Sequence, residues 1–190
     1  MKRQTIKATV LALLGVMLLS GFWSGKTAEE KRQEVQKMKA ETLAMLYKEA
    51  PEAKAIIKKA YGYAVFSNIG VNIILVSAGG GSGVAHDNKT GKDTYMNMGT
   101  VGVGLGIGIK DFRGVFLFEN KEVYEGFINK GWEANAQADA AAKADDKGAA
   151  FGGAITVAPG IRLYQLTKTG LALQATIQGT KYWKDDELNE

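Results

Sequence analysis

Cysteine is absent from this 190-residue chain, and histidine occurs once, as His86. The first absence excludes disulfides, thiolate zinc sites and a cysteine nucleophile. The second excludes a metal site built on two or more imidazoles. Acidic residues are missing from the first 28 positions, which carry Lys2, Arg3, Lys7 and Lys26. Without that segment the chain holds 20 bases against 20 acids. The sequence pI of about 9.1 therefore reports the N-terminus and gives no reason to expect nucleic acid as a partner. No carboxylate pair, nucleophile–base pair or metal cluster is legible. The sequence thus predicts a non-enzymatic protein with no cofactor and no metal. The apolar fraction of 46% suffices for an ordinary globular core.

Two glycine-rich motifs also lack what chemistry needs. Gly79-Gly80-Gly81-Ser82-Gly83 has Val84 where a dinucleotide loop needs its third glycine, and no Gly-Lys-Ser/Thr opens a helix. It fails the serine-hydrolase elbow as well, and His86 has no serine in a nucleophile context. A bulged or closely packed strand is the expectation there. The turn from His86 to Asp93 does not carry the calcium-loop spacing.

The N-terminus lacks the length of a full membrane span. Met1 to Lys7 is basic, and Ala8 to Trp23 is almost unbroken apolar sequence. As a helix that stretch reaches about 24 Å, short of a hydrocarbon core of about 30 Å. Residues 1–26 therefore read as a signal peptide or a retained N-terminal anchor, with export to the periplasm or envelope. Leu18-Leu19-Ser20-Gly21 resembles the start of a lipoprotein signal, but Phe22 occupies the position of the lipidated cysteine.

Residues 27–60 read as helical. Thr27 and Glu30 match a capping box, and Pro51 should break the helix near Ala50. One side carries Val35, Met38, Thr42, Met45 and Glu49; the adjacent side carries Leu43, Leu46, Tyr47 and Ala50. Beyond the break, Ala53, Ile56, Ile57 and Ala60 form an apolar stripe. Lys54, Lys58 and Lys59 lie off it. Those lysines have two readings: the solvated outer face of a docked helix, or a contact with anionic lipid headgroups.

From Tyr61 the helical period gives way to strands. Between Val101 and Ile109, branched apolar residues alternate with Gly102, Gly104, Gly106 and Gly108. A period of two places all four glycines on one bare face of a strand. Another body must approach that backbone closely. It is either a further layer of the same protein or an extended apolar ligand such as an acyl chain, for which the four glycines would form the groove. Further strands are expected at Tyr63–Phe66, Asn72–Val76, Tyr95–Met98, Val115–Phe118, Trp132–Ala140, Ala154–Val157, Ile161–Leu166 and Leu171–Tyr182. Val115–Phe118 is an unbroken apolar run, expected to be buried on both faces. A short helix opens at Glu119-Asn120, faces inward through Val123, Tyr124, Phe127 and Ile128, and stops at Gly131. A hairpin is expected at Thr167–Gly170, a loop at Ala141–Gly148, and a frayed polar tail over residues 185–190. The expected fold class is α+β: N-terminal helices on a largely antiparallel, glycine-rich sheet or partly closed barrel, with one inserted short helix.

Ala60-Tyr61-Gly62-Tyr63-Ala64-Val65-Phe66 resembles the opening motif of SYLF domains. The glycine-rich centre, Leu117-Phe118-Glu119-Asn120, Gly131-Trp132, the small-residue strand and the closing hairpin follow in the family's order, and the resemblance spans about Pro51 to Tyr182. It places the domain at residues 61–184 and implies a lipid-binding module. Eukaryotic relatives bind phosphoinositides at and before the opening motif, and bacterial relatives often carry export signals. By that resemblance Lys54, Lys58 and Lys59 are the lipid-contact positions, and anionic phospholipid or a membrane surface is the partner. Actin binding, known in some eukaryotic relatives, is not carried over. The alternative is a structural or protein-interaction module of the envelope with no lipid ligand, its protein partner unknown.

Overall fold

Thr27 starts the first helix through a reciprocal cap. Its hydroxyl accepts from the Glu30 amide at 3.2 Å, and the Glu30 carboxylate accepts from the Thr27 amide at 2.8 Å. Two donors that the first turn would leave unpaired are satisfied. The Thr27 amide and the Thr27 hydroxyl, which donates to the same carboxylate at 3.0 Å, hold the Glu30 carboxyl below its ordinary range. The computed structural model describes residues 25–68, 80–100, 112–134, 152–167, 170–172 and 179–190. Helix α1 runs Ala28–Glu49 and buries Val35, Met38, Thr42 and Leu46. Val35, Met38 and Thr42 come from one of the two expected sides and Leu46 from the adjacent one, so the buried stripe takes from both. Met45 is half-buried, and Glu49 is exposed in the last turn beside Gly170. Pro51 follows the end of α1, as expected. Helix α2, Ala53–Lys59, then buries Ala53 and Ile57.

The fold is α+β. Its strands are β1 Gly62–Ser67, β2 Gly81–Asp87, β3 Asp93–Thr100, β4 Arg113–Phe118, β5 Trp132–Glu133, β6 Ile155–Ala158, β7 Ile161–Thr167, β8 Gly170–Ala172 and β9 Thr180–Lys184. They form one antiparallel sheet in the order β5-β9-β3-β2-β1-β4-β7-β6. β8 continues the same edge of β7, pairing Gln165–Thr167 where β6 has paired Ile161–Leu163. Helix α3, Lys121–Lys130, is capped by the Asn120 side chain, which accepts from the Val123 amide, and ends at Gly131 with φ 75°.

Both faces of the central strands are covered. Val65, Val84, Val115, Leu117 and Tyr164 meet α1 and α2. Phe66, Met96, Phe116, Phe118 and Leu163 meet Tyr124 and Phe127 of α3. This is why β1 and β4 read as unbroken apolar runs instead of alternating ones. The second face is also curled. Adjacent strands lie about 4.8 Å apart, so a flat sheet would hold β1 and β9 roughly 14 Å apart. The rings of Phe66 on β1 and Tyr182 on β9 instead lie 4.7 Å apart, and Phe116 on β4 reaches Tyr182 at 5.1 Å. The sheet is therefore a half-barrel filled by aromatic side chains.

Several expectations change. The last strand read over Leu171–Tyr182 is two described segments: β8 pairs β7, whereas β9 pairs β3 and β5 on the opposite flank. Of the strand read over Trp132–Ala140, Trp132–Glu133 is strand, and residues 135–140 lie outside the described residues. Asn72–Val76, the loop at 141–148 and the glycine strand with Gly102, Gly104, Gly106 and Gly108 also lie outside them, as do residues 1–24. The tail at 185–190 is not frayed. A 3-10 turn at Glu187–Asn189 buries Leu188, and Asn189 brackets Tyr95, accepting from its amide at 3.0 Å and donating to its carbonyl at 2.7 Å. Polar composition suggested fraying, but these side chains pair with backbone groups at the edge of α1 and β3. Among the described residues no helix is long and apolar enough to cross a membrane.

Candidate functional site

The lysine-bearing helix α2 is short, so its position depends on what holds its ends. Asn88, in the β2–β3 turn, donates from its side-chain amide to the Ile57 and Ala60 carbonyls at 2.8 and 3.0 Å. Its own amide donates to the Tyr61 carbonyl at 3.1 Å. These bonds satisfy carbonyls that a helix end leaves unpaired. The turn itself is braced by Asp87, which accepts from the amides of Lys89 and Thr90 at 2.7 and 3.1 Å. Desolvation pushes the Asp87 carboxyl up, and those amide bonds outweigh it, so it sits below its usual range.

Held in this way, α2 forms one wall of a half-open trough of about 350 Å³. Ile56, Leu117, Phe118 and Ile161 give it an apolar lining. Lys59, Arg162 and Glu119 bring charge to it, and all three are exposed. Gly160, with φ 74°, turns the chain between β6 and β7, and its carbonyl accepts from the Glu119 amide at 3.0 Å. The trough thus joins residues of β4, β6 and β7 to the flank of α2 that carries Ile56 and Lys59, beside its buried Ala53 and Ile57.

Of the three lysines singled out in the sequence, Lys59 lines the trough. Lys54 and Lys58 are exposed on α2 but do not line it. Arg162 and Glu119 escaped the sequence reading. Arg162 carries a weak signal: it is the charged residue alternating between Ile161 and Leu163, and so belongs on the face opposite theirs. Glu119 read only as the approach to a helix.

A second polar cluster joins α1 to the sheet. The Asp93 carboxylate lies 2.6 Å from His86 Nδ1 through one oxygen. The other oxygen accepts from Lys39 Nζ at 2.9 Å and Gln36 Nε2 at 2.7 Å. Burial pushes the Asp93 carboxyl up, but the bonds from Lys39, His86 and Gln36 outweigh it and hold it below the ordinary value. Beside it, burial and the Asp93 charge push the Tyr63 phenol up to about 12. The cluster is a docking device. Both carboxylate oxygens are taken by groups from α1 and β2. Among the described residues no group of three or more His, Asp or Glu side chains could hold a metal ion.

Fold and trough together define a helix-covered, curled antiparallel sheet domain with an amphipathic recess beneath a basic helix. No family model matches the chain. It is similar to Beta cell expansion factor A of Aeromonas veronii, 40% identical over 174 residues that make up 90% of this chain. The chain spans 64% of that relative's length.

Proposed function

We propose that this chain is a non-enzymatic, exported protein of the bacterial envelope that binds anionic lipid. The observation that carries the reading is the trough: an apolar recess with Lys59 and Arg162 on its lining, walled on one side by a helix that also exposes Lys54 and Lys58. An apolar recess with cations on its lining suits an amphiphile with a negative headgroup. The resemblance to SYLF domains supports the same assignment. The basic, apolar N-terminal segment supports export, with residues 1–26 either removed or kept as an anchor.

Co-sedimentation with vesicles of phosphatidylcholine and phosphatidylglycerol tests this. Each lysine near an anionic surface contributes about 1 kcal/mol, so replacing Lys54, Lys58 and Lys59 with glutamate should weaken binding at least on the order of 100-fold. Binding should also fall with salt. Unchanged binding by the triple variant removes these lysines from the mechanism. No binding to any lipid mixture removes the proposal and leaves the envelope protein-interaction module.

A further inference from the structure

We infer that the trough beside α2 seats a single acyl chain, and that its ligand is a medium-chain fatty acid of about ten to twelve carbons whose carboxylate meets Lys59. The inference rests on the anionic-lipid reading of the trough and names the class of lipid for that same site.

One row of the sheet crosses the trough. Leu117 on β4 pairs with Arg162 on β7, and Arg162 pairs with Thr156 on β6, so the three residues stand side by side on the face that α2 meets. Three strands about 4.8 Å apart give that row a width of roughly 10 Å. The wall is the flank of α2 that carries Ala55, Ile56 and Lys59. Backbone bonds pin wall and floor together. The Tyr61 amide donates to the Phe118 carbonyl at 2.9 Å, tying the chain that leaves α2 to the end of β4. The Glu119 amide donates to the Gly160 carbonyl, tying that same end to the β6–β7 turn. With the Asn88 bonds to Ile57 and Ala60, these contacts fix the site before a ligand arrives, so its volume decides what fits.

At about 350 Å³ the trough holds roughly a dozen methylene-sized groups, at about 30 Å³ for a group the size of water. One chain of about ten to twelve carbons meets that number. A two-chain phospholipid carries roughly 50 non-hydrogen atoms, so most of it would stay outside. Along the recess Ile56 and Leu117 are apolar, and Ala55, Ala60 and Gly160 leave room for a chain. Two cations, Lys59 and Arg162, share the lining with one carboxylate, Glu119, an excess of one positive charge. Lys59 alone is assigned to the ligand. It is exposed and ends α2, so a chain lying along Ala55 and Ile56 brings its carboxylate to the Lys59 ammonium. Glu119 opposes an anion there and limits the affinity.

The test is calorimetric titration of the full chain with saturated fatty acids from hexanoate to hexadecanoate, each below its micellar concentration. Affinity should rise about two- to fourfold per methylene, and level off near about twelve carbons, where the trough is full. Ala55→Trp should move that plateau to a shorter chain. Lys59→Met should weaken decanoate about two- to fivefold and leave decanol, which has no charge, unchanged. Glu119→Gln should tighten decanoate by about twofold. Ala55, Lys59 and Glu119 are exposed, so all three variants should keep the wild-type Tm. Affinity that climbs evenly to hexadecanoate, as on an open apolar surface or on the apolar N-terminal segment, overturns the inference. So does a plateau that Ala55→Trp leaves in place, or equal weakening of decanoate and decanol by Lys59→Met. Co-sedimentation with phosphatidylglycerol vesicles but no binding of any fatty acid overturns the single-chain seat and spares the lipid reading. Failure of both vesicles and fatty acids overturns both.

Discussion

At Gly83 there is no room for a methyl group. A Cβ built there would fall on the Phe66 ring and on the Val65 carbonyl oxygen of the neighbouring strand. The ring belongs to the aromatic filling of the half-barrel, and the carbonyl belongs to a paired strand, so neither can give way cheaply. Gly83→Ala should therefore cost about 1–3 kcal/mol, as overpacking does, read as a lowered urea midpoint. Gly126 is the control. It lies inside α3 with open space where its Cβ would be. Gly126→Ala should stabilise by about 0.5–1 kcal/mol through helix propensity alone. A loss of stability there would mean that the glycine serves something other than the helix. The two positions also mark how far single residues could be read in advance. The expectation of a bulged or closely packed strand around Gly79–Gly83 holds for Gly81 to Gly83, because a glycine cluster inside a strand pattern implies a close neighbour. That Phe66 is the neighbour of Gly83 depends on strand pairing, which composition does not encode.

Elements were legible where a local signal defines them. The capping box at Thr27, the break at Pro51, the Asn120 cap and the stop at Gly131 are all short-range chemistry, and all stand where the sequence places them. What joins one element to another was not legible. Asp93 is 54 residues from Lys39, and only the fold brings them within 2.9 Å. That bridge fixes α1 against β3 and has a pH signature. The Asp93 carboxyl sits below its ordinary value in the folded chain. Its stabilising contribution is therefore fully present above the unfolded carboxylate pKa of about 3.9 and is lost as pH falls through the lower folded value. Asp93→Asn should remove about 1–3 kcal/mol at neutral pH, because Lys39 and His86 lose their shared anion while still half-buried. Its stability should also depend less on pH than the wild type's below about pH 4. Denaturant titrations across that range measure both effects; parallel pH curves for the two proteins would exclude Asp93 as the titrating lock.

At the scale of the whole molecule, fold class and a sheet or partly closed barrel followed from counting short strands around one inserted helix, while the strand order did not. Leu171–Tyr182 reads as a single strand by pattern, yet β8 and β9 lie on opposite flanks of the sheet. Strand order is set by side-chain packing on the curled face, where Tyr182 meets Phe66 and Phe116, and those contacts are remote in sequence. The candidate site was half legible for the same reason. Lys59 belongs to a helix with a readable stripe, whereas Arg162 and Glu119 reach the trough through β7 and the β4–α3 junction. The C-terminal turn is the sharpest case. Its residues are polar, but Leu188 is buried, and Asn189 and Asp185 hold the Tyr95 backbone. Arg32 Nε of α1 donates to the Leu188 carbonyl at 2.9 Å, so the turn ties the first helix to the third strand. Burying one leucine stabilises by about 1.5–3 kcal/mol, and each net hydrogen bond adds about 0.5–1.5 kcal/mol. The exposed Lys31–Glu187 pair adds little, because solvent screens it. Deleting residues 185–190 should therefore lower stability by about 2–5 kcal/mol. Hydrogen exchange should then quicken first in α1 around Arg32 and at the Tyr95 amide, because those groups lose their partners, while β1 and β4 stay protected until global unfolding. A truncated chain with unchanged stability and unchanged exchange at Tyr95 would show that α1 is held by the Asp93 bridge and its apolar face alone.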